Sequence, residues 1–567
     1  MPLKKIDYDK NMEKFFKTFL LGWRPYAWLA GLGFLLYSPS IWFDFVYLDD
    51  NVLILRDIRN LSNLGNIAQI FRQGVFNILH SGDTYYRPIP TLFLMLDAQI
   101  SGASPIMYHI TNIVLHLVNV CLIFTLLNKI GFKKMPSFLM SLFFAVHPAL
   151  VSAVAWIPGR NDSLLAIFIF LAFLNLINYL ATDKIRQSAI HLVIHWVAFF
   201  LALLTKENAL ILPLIMIAYF GLFDTDGQNF RQRFFNRKKN ILYATWLFAI
   251  AIYFLTRQNA LGSAVNLNFL QVIKNLIVSL PAVLIYLGKI IFPVGLSGYP
   301  VLKDSSWILG LISLATIALL YKIGKKPNHK IMMAGIIWFL FFLVPTLVRT
   351  DLNPDLPLLE QRAYLPMFGI LLIILGSNIL ANTFEKINLK ETIILGIIGL
   401  YAINTFFYLP SYKNKIIFWE NCRAQSPSSP FVHNNLGAMY FIDGKITEAG
   451  TEFDIAIKIN DTEPRIHNNA GLVLMRLGQL DKAEEEIKKE LALYPNYDDA
   501  NYNLGLIYAQ QKRYEDAVKF WEKTIEVNPD YLDAYAQLSN YYSSETKDET
   551  KTKRYFDEYT AHGGQVR

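Results

Sequence analysis

YAWLAGLGFLLYSPSIWFDFVYLDDNVLIL, residues 26–55, runs through twenty positions with one charge, Asp44, then sets two adjacent carboxylates, Asp49 and Asp50, at its edge. A hydrocarbon core of ~30 Å takes about 20 apolar residues to cross as a helix, so the run reads as a membrane span. The acid pair then has two readings: an ordinary hydrated boundary, or a catalytic base held at the membrane surface.

The rest of the chain repeats the pattern. Its 567 residues are 53% hydrophobic and only 17% charged, with a mean hydropathy of +0.30, whereas soluble domains carry about 25% charged residues. Apolar runs at 26–46, 106–128, 137–157, 163–181, 188–205, 208–223, 241–258, 271–292, 306–321, 331–350, 363–382 and 391–410 predict a polytopic, all-α membrane domain over 26–410. About 11–13 crossings are expected there. The net charge of +8 falls in short clusters between runs, which report topology rather than nucleic-acid binding. Cys121 and Cys422 are the only cysteines, and no structural disulfide is expected.

Lys4, Lys5, Lys10, Lys14, Lys17 and Arg24 assign residues 1–25 to the cytoplasm by the positive-inside rule. Alternation then puts the long loop 47–105, the turn at 158–162 and the turn around Lys206 outside. The cluster Lys322, Lys325, Lys326 and Lys330 conflicts with a simple count. It predicts that 271–292 is re-entrant, or that a further pass lies within 293–305, where Pro293, Gly295, Gly298 and Pro300 permit irregular backbone shielded from lipid. With that cluster inside, the acid pair and the C-terminal part share the outer face.

Beyond Pro410 the composition turns polar. A linker is expected over 411–429 and repeats over 430–567. Leu436-Gly437, Ala470-Gly471 and Leu504-Gly505 keep a 34-residue step, as do Ala449, Ala483 and Ala517, and Pro495 and Pro529. That period resembles the tetratricopeptide repeat, with three clear copies and a degenerate fourth from Leu532. Asn435, Asn469, Asn503 and Gln537 share one polar column. Such amides either hydrogen-bond an extended peptide acceptor in a concave groove or brace neighbouring helices; the first is favoured because a core position would be apolar.

The loop 47–105 is too long for a connector. It holds the acids, an expected interfacial helix around 66–80, and Arg87 in YYRPIP. Other polar groups return at span ends: His147-Pro148, Arg160 in GRND, Lys206 and Glu207 in KEN, and Glu360, Arg362 and Tyr364 in LEQRAYLP. A charge near the bilayer centre costs roughly 2.5–3.5 kcal/mol on insertion scales, so their recurrence on one face points to a shared polar cavity. For each group alone the competing reading is interfacial anchoring, headgroup binding or pairing with Asp162 or Glu207. His109 and His116, seven apart, could join His80 or Asp49 around a divalent metal, but buried histidines are more often packing residues; no metal is expected.

VYLDDNVLILRDIRNL (46–61), YYRP (85–88), MYHITNIVLHLVN (107–119), AVHPALVSAVAWIPGRNDSLLAIF (145–168), LLTKENALILPL (203–214) and LEQRAYLP (359–366) occur in this order before the repeats. Together they resemble the transmembrane and tetratricopeptide-repeat O-mannosyltransferases and their prokaryotic relatives, of the GT-C glycosyltransferase superfamily. The likeness is weakest over 225–345. Relatives carry adjacent Glu-Arg before Tyr-Leu-Pro, whereas Gln361 here separates Glu360 from Arg362. The resemblance implies an integral membrane enzyme, of the inner or plasma membrane in a prokaryote. It implies transfer of a sugar, mannose or another hexose, from a polyprenyl-phosphate donor to a protein Ser or Thr hydroxyl at the outer face, without metal or other cofactor. The first-loop acid of the family falls on Asp49 or Asp50.

Inverting transfer needs a carboxylate to take the acceptor proton, and neighbouring acids push one pKa upward. Donor phosphate contacts are expected from Arg87, Lys206, Arg160 and Arg362, in that order, with His147, Glu207, Glu360 and Tyr364 in support. Two other readings compete. An O-antigen ligase or polymerase would carry its key groups in a late outer loop, and a non-catalytic membrane-anchored scaffold would depend on the repeats alone.

Overall fold

In the computed structural model, residues 18–76, 85–224, 229, 233–262, 269–348, 355–380 and 389–564 are described. Among them the architecture is all-α, as expected; the sole β pairing is an isolated bridge between Val301 and Pro357. The basic cluster from Lys4 to Lys17, and His80, lie outside the described residues. The chain divides into two compact units at Asn421 and Cys422.

In the first unit, seven described helices are long and apolar enough to cross a membrane: Ile106–Ile130, Ile157–Ala181, Ile185–Leu203, Arg237–Leu261, Leu270–Ile291, His329–Leu347 and Thr392–Tyr412. An eighth arises if Lys134–Ala145 and Pro148–Ala155, bent by 56°, are one span. This is fewer than the expected 11–13. The run 26–46 is a 14-residue helix, Arg24–Tyr37, followed by a 3-10 turn, Ser38–Trp42. Together with the five 3-10 residues at about 2 Å each, this helical run reaches roughly 31 Å.

The runs 208–223 and 306–321 are short helices, within Glu207–Phe223 and at Ile308–Ile323. The run 363–382 yields the 10-residue helix Met367–Gly376, buried at every residue except Ile374. A helix apolar all round belongs to a core, and hydropathy alone cannot tell such a helix from a lipid-facing one. No further pass exists within 293–305: that backbone is irregular, and Ser297, Tyr299 and Val301 are buried.

Small residues let these helices approach closely. A Cβ on Gly369 would lie 2.4 Å from the Gly335 carbonyl oxygen, so Met367–Gly376 crosses His329–Leu343 backbone to backbone. The interfacial helix expected at 66–80 is only the short Ile67–Ile70 turn after a 3-10 turn, Leu64–Asn66, and 77–80 lie outside the described residues. The expected linker 411–429 is not an open connector. It contains the helix Lys415–Gln425, on which Phe418 and Trp419 are buried; the aromatic positions draw it onto the core.

The second unit is a run of four helical hairpins: Pro430–Ile442 with Ile446–Ile459, Ile466–Arg476 with Leu480–Leu493, Asp498–Gln510 with Tyr514–Val527, and Leu532–Tyr541 with Glu549–Ala561. The 34-residue columns have a direct cause. A Cβ on Gly437, Gly471 or Gly505 would strike Phe453, Ile487 or Trp521 at 2.6, 2.5 and 2.5 Å. Each glycine makes room for the large side chain on the second helix of its own hairpin.

Candidate active site

The first helix stops at Trp42, and the chain turns extended at Phe43. It then folds into a tight loop in which Tyr47 adopts φ 60°. Asp50 builds this loop. Its Oδ2 accepts the Val46 N–H at 2.8 Å and its Oδ1 the Leu48 N–H at 3.0 Å, and the residue is 1% exposed. Asp49 differs. It is half-buried, and no described residue donates a hydrogen bond to its carboxylate. Burial first, and then the Asp50 charge, push the Asp49 carboxyl up to about 6, against a pull downward from Arg87. Burial also lifts Asp50 to about 6, with the backbone donors opposing. The two acids expected as equivalent candidates are therefore unequal: Asp50 holds the loop, and Asp49 is presented by it.

Arg87 opens the helix Pro88–Ser101, whose prolines at 88 and 90 suit a first turn that lacks N–H partners. Its guanidinium meets Glu207 at two points, Nε to Oε1 at 3.3 Å and Nη2 to Oε2 at 2.9 Å, and stacks 4.5 Å over Tyr85. Lys206, next to Glu207, donates to Asp162 Oδ1 at 2.6 Å. Burial pulls the Lys206 ammonium below its usual range despite Asp162, and Arg87 and Arg362 act in the same direction as burial. Burial would raise Glu207, but Arg87 overrides it and holds that carboxyl low.

Arg362 is half-buried, donates to the Pro357 carbonyl at 3.0 Å, and lies within electrostatic reach of Lys206. Asp49, Arg87, Asp162, Lys206, Glu207 and Arg362 thus form one cluster, assembled from five separate stretches of chain. Three cations face three carboxylates. An incoming phosphate would find Arg87 and Lys206 already oriented by their acids, which is how a preorganised anion site works.

Other expected site residues make contacts within the protein. Arg160 is fully buried and uses its fork on Asn112 Oδ1 at 2.9 Å, Asp97 Oδ2 at 2.6 Å and the Tyr108 carbonyl at 2.8 Å. It ties three helices together, with three of its five N–H donors engaged. Glu360 accepts from Lys289 at 2.7 Å, the Ser297 N–H at 3.0 Å and the Tyr408 hydroxyl at 3.1 Å.

His147 bridges the Ile290 carbonyl at 2.8 Å and the Ala149 N–H at 3.2 Å. The Tyr364 hydroxyl is 2.8 Å from His116 Nδ1, and both side chains are buried. The inserted Gln361 accepts from Ser152 at 3.0 Å. Sequence reading missed Asp97 and Lys289; the signal for each was a lone charge inside an apolar helix.

The amides of the repeat column are partly engaged within the protein. Asn469 donates to Asn434 Oδ1 at 2.8 Å and Asn503 to Asn468 Oδ1 at 2.9 Å, while Asn435 bonds the Phe431 carbonyl at 2.8 Å. Gln537 contacts Tyr502. Asn469 and Asn503 bond to the preceding hairpin, whereas the Asn435 bond lies within its own helix.

Residues 464–497 and 499–531 match family models of the tetratricopeptide repeat. The chain is 33% identical over 162 residues to protein O-mannosyl-transferase TMTC1 of Homo sapiens, covering 26% of this chain and 17% of that protein. Against TMTC4 of Homo sapiens it is 24% identical over 468 residues, covering 72% of this chain and 62% of the relative. Over these stretches the chain is similar to the TMTC protein O-mannosyl-transferases. The match spans less than two thirds of the length of these relatives. A crystal structure of MamA is similar to 26% of this chain and 86% of its own, at 21% identity with TM-score 0.24.

Proposed function

We propose that the chain is a membrane glycosyltransferase that moves a hexose, mannose in the first instance, from a polyprenyl-phosphate donor to a Ser or Thr hydroxyl of a protein, with inversion. The acceptor oxygen attacks the anomeric carbon, the bond from that carbon to the phosphate oxygen breaks, and its electron pair leaves with the lipid phosphate. Asp49 takes the hydroxyl proton. Arg87 and Lys206 stabilise the charge growing on the phosphate, with Arg362 behind them. A nearby anion also suits the oxocarbenium-like sugar. The reaction balances with donor, acceptor and base alone.

The observation that carries this reading is the Asp49 carboxylate, free of hydrogen-bond donors among the described residues yet facing Arg87. The TMTC relatives support the acceptor class, and the repeats support a polypeptide partner. The N-terminus is assigned to the cytoplasm, with the acid loop and the repeats on the outer face. Cysteines introduced near residues 326 and 440 should label from opposite sides.

The test is incubation of the purified full-length protein with polyprenyl-phosphate hexoses and Ser/Thr peptides. The expected product is a glycosylated hydroxyl with inverted anomeric configuration. Retention of configuration would contradict the single displacement, and transfer only to a lipid-linked saccharide would favour an O-antigen ligase or polymerase.

A further inference from the structure

The acid loop is clamped from a distant part of the same unit. Val46 has both backbone groups claimed: its N–H donates to Asp50 Oδ2 at 2.8 Å, and its carbonyl accepts the Trp419 indole Nε1–H at 3.0 Å. The Asp44 N–H donates to the Lys413 carbonyl at 2.9 Å. The Lys415 ammonium sits 5.2 Å over the Tyr47 ring.

Trp419 itself has no freedom. It is 0% exposed, with its ring centroid 5.3 Å from Phe418 and 6.4 Å from Tyr299. Phe418 fills the space beside Gly298, where a Cβ would come within 2.1 Å of its ring. A buried indole N–H is costly to leave unpaired, and here its partner is one carbonyl three residues before Asp49.

We propose, building on the reading of Asp49 as the base, that Trp419 is the positioning residue that sets how far the Asp49 carboxylate stands from solvent and from the acceptor hydroxyl. Tyr47 holds a left-handed backbone that side chains seldom adopt, so the loop keeps its shape only while something outside it insists. Asp50 supplies one restraint from within. From outside, the Trp419–Val46 bond acts beside the Asp44–Lys413 bond and the Lys415–Tyr47 contact, and it holds the carbonyl of the residue whose N–H Asp50 binds. Without it, Val46 turns its carbonyl to water, Tyr47 relaxes, and Asp49 swings toward solvent. The cations are anchored separately, at Arg87 and Lys206, so donor binding is untouched.

The experiment uses full-length protein in lipid nanodiscs with polyprenyl-phosphate mannose and a Ser/Thr peptide. It compares wild type, Trp419→Phe and Asp49→Asn. Phenylalanine keeps an aromatic ring and removes only the N–H. The expected result for Trp419→Phe is a loss of kcat on the order of tenfold to a hundredfold and a donor KM within about twofold of wild type if uniform binding is untouched. The acid limb of kcat against pH should move down toward the ordinary carboxylate range.

A wild-type kcat, or a lower kcat with the limb unmoved, overturns the proposal, because a merely structural role lowers only the amount of active enzyme. Should Trp419→Phe not fold, Lys415→Ala at the half-buried Tyr47 contact carries the same test, with a smaller shift in the same direction. Asp49→Asn separates the two claims. If it turns over like wild type, the reading of Asp49 fails. If it is inactive while the limb of Trp419→Phe stays put, only the role of Trp419 fails.

Discussion

Arg87 and Glu207, 120 residues apart in sequence, meet through two hydrogen bonds, and the adjacent Lys206 repeats the arrangement with Asp162. Each cation is thus aimed before any phosphate arrives. Arg87→Lys keeps the charge but loses the planar fork. The donor kcat/KM should fall about tenfold, the worth of one charge-assisted hydrogen bond at about 1.5 kcal/mol, with the larger part in kcat because the charge grows in the transition state. Titration of the variant with the lipid donor checks this.

The second expectation concerns pH. As the proposed base, Asp49 acts only when ionised, and its carboxyl is pushed up to about 6, first by burial and then by Asp50. Activity is therefore full above that value and falls as pH drops through it, about tenfold per unit. An ordinary solvated aspartate would place the limb near 3.9. Arg87 pulls the Asp49 carboxyl down, so Arg87→Ala should move the limb upward. A pH–rate profile of both proteins reads the sign directly.

Arg160 gives the contrasting case. Removing one partner of a buried ion pair strands the other, at a cost of roughly 3–5 kcal/mol. Arg160→Ala should lower the thermal midpoint sharply, because Asp97 would remain buried and uncompensated. The donor KM of whatever folded protein survives should equal that of wild type. A donor-binding defect without loss of stability would return Arg160 to the phosphate site.

In the repeats, Asn469→Ala removes the amide bond to Asn434 and should cost about 1 kcal/mol of stability. Denaturant unfolding should show it as a lowered midpoint, without loss of peptide affinity.

The repeats were legible because each glycine answers to a large residue on its own hairpin, Gly505 to Trp521 for example, and the step is therefore written into the local sequence. Asp49 was legible because an apolar run ends beside it. The division of labour between Asp49 and Asp50 was not, since it depends on which carboxylate curls back onto the Val46 N–H. Nor was the fate of Arg160, whose partner Asp97 lies 63 residues away. Hydropathy alone does not separate a buried helix from a lipid-facing one: Met367–Gly376 is as apolar as any crossing helix but is buried on nearly every side. The amide column alone does not decide its role, because a polar position on a packed helix can be satisfied by the next helix as well as by a ligand.

The central claim is that one acid of the pair does chemistry while the other shapes the loop. Turnover of polyprenyl-phosphate mannose onto a Ser/Thr peptide should be compared for Asp49→Asn and Asp50→Asn, both purified from the membrane as folded proteins. Asp49→Asn should lose activity on the order of 10²–10⁴-fold with its thermal midpoint unchanged. Asp50→Asn should lose stability and only part of the rate. Equal turnover in Asp49→Asn and wild type would contradict the account.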